Sequence, residues 1–265
     1  MRSGIFSEIR NIRSAGTLGR VRRRILPAED AVCETDMVPV FVCQAILFDL
    51  DGVLVDSTPC VTRVWSEWAR EHGLDPEYVV HQAHGQRSIE TIRRVAPQLD
   101  AQKENAIVEQ REIDDTDGLR LLPGAKQLLT ALPPERYTIV TSGTRQLATR
   151  RLQIVGLPVP ASMITADEVA RGKPDPEPYL AGAAALGVDP NDCVVFEDAP
   201  SGIHSAKAAG MRVIGVTTTY RAEELSGADL IIKSLEVVGA PTNAHREIVV
   251  SIDDGVRADS GDCAR

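Results

Sequence analysis

The chain has 265 residues, of which 43% are hydrophobic and 25% charged, and its formal net charge is −9. This length supports a substantial core in one or two domains, while no apolar run approaches the roughly 18–20 residues needed to cross a bilayer, and the acidic balance argues against nucleic acid as a partner of the folded part. The five cysteines, Cys33, Cys43, Cys60, Cys193 and Cys263, are scattered without a metal-type or disulfide-type spacing, so reduced thiols and a cytoplasmic setting are expected.

Residues 1–36 carry seven arginines against five acids, whereas everything after them is strongly acidic. Arg22, Arg23 and Arg24 with nearby serines have some look of a targeting peptide. The plainer expectation is a disordered leader, with an N-terminal extension over 1–42. A strand–helix rhythm then begins. The run 44–49 is continuously apolar and ends in a glycine-containing turn, the pattern of a strand buried on both faces. Similar runs fall at 137–141, 162–165, 193–196, 212–216 and 229–232, with helical stretches near 124–132, 145–155, 176–187 and 201–210. This alternation predicts an α/β fold with a Rossmann-like, doubly wound parallel sheet. Residues 57–118 break the rhythm: Val61, Val64, Trp65 and Trp68 recur at helical spacing, which predicts an inserted all-helical cap with the two tryptophans in its core. The core is therefore expected at 43–56 and 119–240. Residues 241–265 form a tail with an edge strand near 246–252.

In an open α/β sheet, ligands bind beyond the carboxyl ends of the strands. The first strand ends in Asp49-Leu50-Asp51-Gly52, placing two carboxylates where both can face one site, although such a pair alone also fits a solvated turn. The second ends in Thr141-Ser142-Gly143-Thr144-Arg145, hydroxyls and exposed backbone that suit a phosphate cradle or simply a helix N-cap. Lys173 precedes a helix, where the macrodipole disfavours a cation. Glu197 and Asp198 end a further apolar strand, and adjacent buried acids are costly without a positive neighbour; a hard cation with oxygen ligands meets that need.

With these four motifs in this order, Asp49-x-Asp51, Ser142, Lys173 and Glu197-Asp198, the chain closely resembles the haloacid-dehalogenase-like (HAD) hydrolases with a helical cap. The stretches 84–88, 141–145, 172–180 and 195–202 are most similar to glycerol-phosphate and 2-deoxyglucose-6-phosphate phosphatases and bacterial sugar phosphatases. The resemblance implies a Mg²⁺-dependent phosphatase acting on a small phosphorylated metabolite through a phospho-aspartate. It makes Asp49 the nucleophile and Asp51 the general acid and base, with Lys173 and Ser142 holding the phosphoryl oxygens. It further implies that Asp49, the Asp51 carbonyl, Glu197 and Asp198 bind Mg²⁺. Arg87 and His84 from the cap, and Gly143, Thr144 and Arg145 from the core, are the candidate substrate contacts. A sugar phosphomutase shares the four motifs, but the place of its lid histidine is here filled by Val61, which favours hydrolysis.

Overall fold

A computed structural model describes residues 37–253. At its centre lies a parallel six-stranded sheet in the order β6-β5-β2-β7-β8-β9. Its strands are β2 (Ala45–Phe48), β5 (Tyr137–Val140), β6 (Met163–Ile164), β7 (Cys193–Glu197), β8 (Arg212–Val216) and β9 (Leu230–Ile232). Each falls within or within one residue of an apolar run read from the sequence. The strands β2, β5 and β7 are buried along their whole length, which is why they read as unbroken apolar runs instead of alternating ones.

Successive residues still face opposite layers. Ile46 and Phe48 join one core with Leu128, Leu152 and Phe196, while Ala45 and Leu47 join the other with Val140, Tyr179 and Ile203. The Phe48 and Phe196 rings stack at 5.3 Å across the strand pair. Helices α5 (Ala125–Ala131), α6 (Arg145–Ile154), α7 (Glu177–Leu186) and α8 (Pro200–Ala208) make the connections. Gly187, at φ 67°, closes α7 in the left-handed conformation that glycine adopts without strain. The chain enters at β2, builds outward through β5 to β6, and then crosses to β7 on the other side. That reversal brings the carboxyl ends of β2, β5 and β7 around one crevice, the place where such sheets bind ligands.

The helical insert lies between two short strands, β3 (Val55–Asp56) and β4 (Arg120–Leu121), which pair with each other. It contains α1 (Thr58–Glu71), α2 (Pro76–Ala83), α3 (Ser88–Val95) and α4 (Ala101–Asp114). Val64, Trp65, Trp68, Val79, Ile92 and Val108 form its separate core. The tryptophans are core residues, as their spacing implied, and lie edge to face at 5.5 Å. Each indole N–H needs a partner once buried: Trp65 donates to Glu112 and Trp68 to Glu104, both at 2.9 Å.

The amino-terminal expectation needs correction. Residues Met37–Cys43 form β1, which pairs antiparallel with β11 (Ile248–Asp253). The extension expected over 1–42 thus overlaps a strand of the fold. A register shift between Pro39 and Phe41 interrupts the ladder, so the stretch lacks a clean alternation. The strand expected near 246–252 is β11, but it is no edge strand: it lies between β1 and β10 (Val238–Gly239). The expectations for 1–36 and for the end of the tail lie outside the described residues. No helix among the described residues is long and apolar enough to cross a membrane.

Candidate active site

Lys173 is the centre of the crevice. It is 1% exposed, and its Nζ donates to Asp49 Oδ1 at 2.6 Å, Glu197 Oε1 at 2.6 Å and the Val140 carbonyl at 3.1 Å. The ammonium also lies 5.1 Å from the centre of the Tyr179 ring, a cation–π distance. Burial works against its charge, but the Asp49 and Glu197 carboxylates outweigh it and hold the lysine above its usual range. These contacts join the ends of β2, β5 and β7 to the loop before α7, so the sheet topology itself assembles the cluster.

Asp49, Glu197 and Asp198 are all buried, with one carboxylate oxygen of each within 4.8 Å of the others. Three carboxylates against one ammonium leave two uncompensated negative charges. The Asp49 carboxyl is accordingly pushed up to about 7, by burial first and despite Lys173. Asp198 is raised well above the carboxylate range by burial and then by Glu197 and Asp49. An all-oxygen donor set with a charge deficit of two fits a hard divalent cation.

The structure separates the roles within the adjacent acids. Both oxygens of Glu197 are committed: Oε1 accepts from Lys173 and Tyr179, and Oε2 from the backbone N–H groups of Asp198 and Ala199. A Cβ at Gly202 would fall 1.6 Å from Glu197 Oε1, so the turn into α8 accommodates this carboxylate only because residue 202 has no side chain. Glu197, expected as a metal ligand, keeps a carboxylate oxygen within the Asp49–Asp198 cluster and is at the same time the anchor of Lys173. Asp49, Glu197 and Asp198 are the groups that could hold a cation.

Gly52 has φ 81°, and a Cβ there would lie 1.9 Å from Asp198 Oδ2 and 2.7 Å from Thr219 Oγ1. Thr218 Oγ1 donates to the Gly52 carbonyl, pinning this turn to the loop after β8. Gly52→Ala is therefore expected to displace Asp198 and weaken divalent-cation binding by about tenfold or more, with strain from the positive φ in addition. Calorimetric titration of Mg²⁺ into both proteins checks this, and equal affinities would remove Asp198 from the cation site.

The cap closes over this crevice. Between them is a cavity of about 60 Å³, room for a phosphoryl group or a few waters. Asp49, Asp51, His84, Ser142, Gly143 and Asp198 line it, so six of the sequence-derived candidates share one chamber. Ser142 Oγ donates to the Gly85 carbonyl of the cap at 3.2 Å, as does Ser201. In this closed arrangement Ser142 therefore fastens the lid. Burial, with His81 nearby, lowers the pKa of His84.

Three candidates stand elsewhere. Arg87 reaches from the cap to the core, where its guanidinium donates to the carbonyls of Ala166 and Ala170 at 3.3 and 3.1 Å. Thr144 caps α6, its hydroxyl accepting from Leu147 N–H at 3.5 Å. Arg145 is bound to Glu168 and to the Met163 carbonyl. None of the three lines the chamber. A helix-start position and two arginines suggested anion contacts; local capping holds Thr144 and other protein groups hold both guanidinium ions, with Arg87 Nε buried and unpartnered.

Sequence reading missed the ion pair beside Asp51. Arg151 of α6 is 3% exposed and donates from Nη1 to Asp51 Oδ2 at 2.8 Å and from Nη2 to Glu112 Oε2 of the cap at 2.9 Å. Asp51 Oδ1 is buried without a hydrogen-bond partner in the protein, an acceptor or donor position available to a bound molecule. Arg151 and Glu112 sit at ordinary charged positions on two helices, and only the fold brings them together.

Comparison with known proteins agrees with this geometry. The family model described as haloacid dehalogenase-like hydrolase matches residues 43–210, and the chain belongs to that family. It is 42% identical to hexitol phosphatase A of Escherichia coli over 213 residues, covering 78% of this chain and 99% of that protein. It is also 38% identical to glycerol-1-phosphate phosphohydrolase 1 of Saccharomyces cerevisiae, over 80% of this chain and 91% of that one. Among solved structures, a hydrolase from Pseudomonas syringae superposes with a TM-score of 0.64 at 26% identity, over 73% of this chain and 94% of that one.

Proposed function

We propose that this protein is a Mg²⁺-dependent phosphomonoesterase that hydrolyses a small sugar or polyol phosphate through a phospho-aspartate on Asp49. The carrying observation is the convergence of Asp49, Lys173 and Asp198 beneath a lid, with Asp51 beside them, in a chain similar to phosphatases of hexitol and glycerol phosphates. Lys173 holds Asp49 Oδ1, leaving Oδ2 to attack phosphorus. The P–O bond to the alcohol breaks as Asp51 passes its proton to the leaving oxygen. Asp51 then takes a proton from water, whose oxygen attacks the phosphorus, breaking the bond to Asp49 and releasing inorganic phosphate. When bound at Asp49, Asp198 and the Asp51 carbonyl, Mg²⁺ supplies positive charge to the phosphoryl oxygens.

The cap opens for substrate entry and closes over the chamber to exclude water. Val61 lines the chamber where the mutase resemblance calls for a histidine, which supports water as the acceptor. A cytoplasmic setting suits the buried free thiols Cys43, Cys60 and Cys193. The test is phosphate release from glycerol, hexitol, hexose and 2-deoxyhexose phosphates, with Mg²⁺ and with chelator. Mg²⁺-dependent release from one or a few members is expected. No release, with isomerisation of a sugar phosphate once a bisphosphate is added, would identify a mutase instead.

A further inference from the structure

We propose that the cap wall of the chamber selects phosphate monoesters with an uncharged tail and rejects those carrying a second anionic group, and that Glu109 and Glu112 impose this choice. The proposal rests on the phosphomonoesterase reading and goes beyond it by assigning the discrimination to named side chains.

Both glutamates project from α4 at i,i+3, on one face of the helix, and both line the chamber. Among the described residues that line it, Arg151 is the single permanent cation. It is already divided between Asp51 and Glu112, so it offers no uncompensated charge to a tail anion. His84 also lines the chamber, but its lowered pKa leaves it neutral at neutral pH. Arg87 and Arg145 are bonded to other groups outside the chamber. Lys173, at the opposite end, is committed to the acids of the reacting centre.

On the cap side the uncharged polar wall is Ser57, Thr58, Gln86 and Ser88, and Thr141, Ser142 and Thr219 line the core side. Hydroxyls and an amide can both donate to and accept from the hydroxyls of a polyol or sugar. A phosphate or carboxylate in the same place would meet the Glu109 carboxylate, while Glu112 and Asp51 already hold the charge of Arg151 that could have attracted it. At a partly buried site such like-charge contact is more unfavourable than in bulk water. This is selection by a repulsive element, not only by attractive contacts.

The experiment measures kcat/KM with Mg²⁺ on two matched pairs: glycerol 3-phosphate against 3-phosphoglycerate, and fructose 6-phosphate against fructose 1,6-bisphosphate. The wild type is expected to use the member with the anionic tail at least about 100-fold less well. Glu109→Gln and Glu112→Gln should each narrow that gap about tenfold, mainly through KM for the anionic-tailed member, as expected for a relieved repulsion in binding. Glu109 stands outside the Arg151 pair, so Glu109→Gln still tests the proposal if Glu112→Gln disturbs the lid. Comparable turnover of both members by the wild type, or an unchanged ratio in both variants, overturns it. Failure to release phosphate from both neutral members and from every hexitol and 2-deoxyhexose phosphate would instead sink the phosphomonoesterase reading beneath it.

Discussion

Asp49→Asn is expected to lower kcat by on the order of 10⁴-fold or more, as removal of a covalent nucleophile does, without unfolding the protein. The amide has the same shape as the carboxyl, and its oxygen can still accept from Lys173 at the Oδ1 position, 2.6 Å away in the wild type. The substitution also removes one charge from a cluster in which burial already pushes Asp49 up to about 7. Melting without Mg²⁺ should therefore occur at or above the wild-type temperature, because a neutral group replaces a poorly solvated ion. Circular dichroism, thermal melting and phosphate release separate the two effects. Turnover within tenfold of the wild type would rule out covalent catalysis by Asp49. A collapsed fold would contradict the packing described for β2.

The reacting centre was legible because its residues terminate apolar strands. Asp49, Glu197 and Asp198 follow runs whose burial on both faces leaves a plain hydrophobic signal, and the parallel sheet brings those strand ends together. Lys173 was legible as a cation in a place the helix dipole disfavours, and the structure supplies the compensation in two carboxylates. The distal chamber carried no such signal. Arg151 and Glu112 are 39 residues apart in sequence, and on isolated helices both pass as surface charges.

Arg87 and Arg145 stand outside the chamber for the complementary reason. An arginine's fork can serve a substrate or a set of carbonyls and carboxylates, and sequence does not say which lies within reach. The strand β1 escaped because its ladder is irregular near Pro39, where the period-two signal is lost. Glu197 is the instructive middle case: its position was readable, but its hydrogen bonds were not. Those bonds make a member of the acidic cluster the support of a lysine as well.

That double role gives the second large effect. Lys173→Met replaces the ammonium with an apolar chain of similar length and leaves Asp49 and Glu197 facing each other in the core. Breaking a buried ion pair by removing one partner costs about 3–5 kcal/mol, which in a domain of this size lowers Tm by roughly 6–20 °C. Phosphate release should fall by at least about 10³-fold, since the charge facing the phosphoryl oxygens is lost as well. Adding Glu197→Gln to Lys173→Met distinguishes the two consequences. The amide oxygen can still accept from the Asp198 and Ala199 N–H groups, as Oε2 does in the wild type, and its NH2 can donate to the Tyr179 hydroxyl oxygen, 2.8 Å from Oε1, while one stranded charge disappears. The double variant should recover a substantial part of the lost Tm and none of the lost activity. A Lys173→Met protein that melts within about 2 °C of the wild type would mean that water already solvates these acids, against the 1% exposure of both Lys173 and Glu197. Recovery of turnover in the double variant would show that Lys173 serves only to neutralise Glu197, and the cation would then have to carry the phosphoryl charge without it.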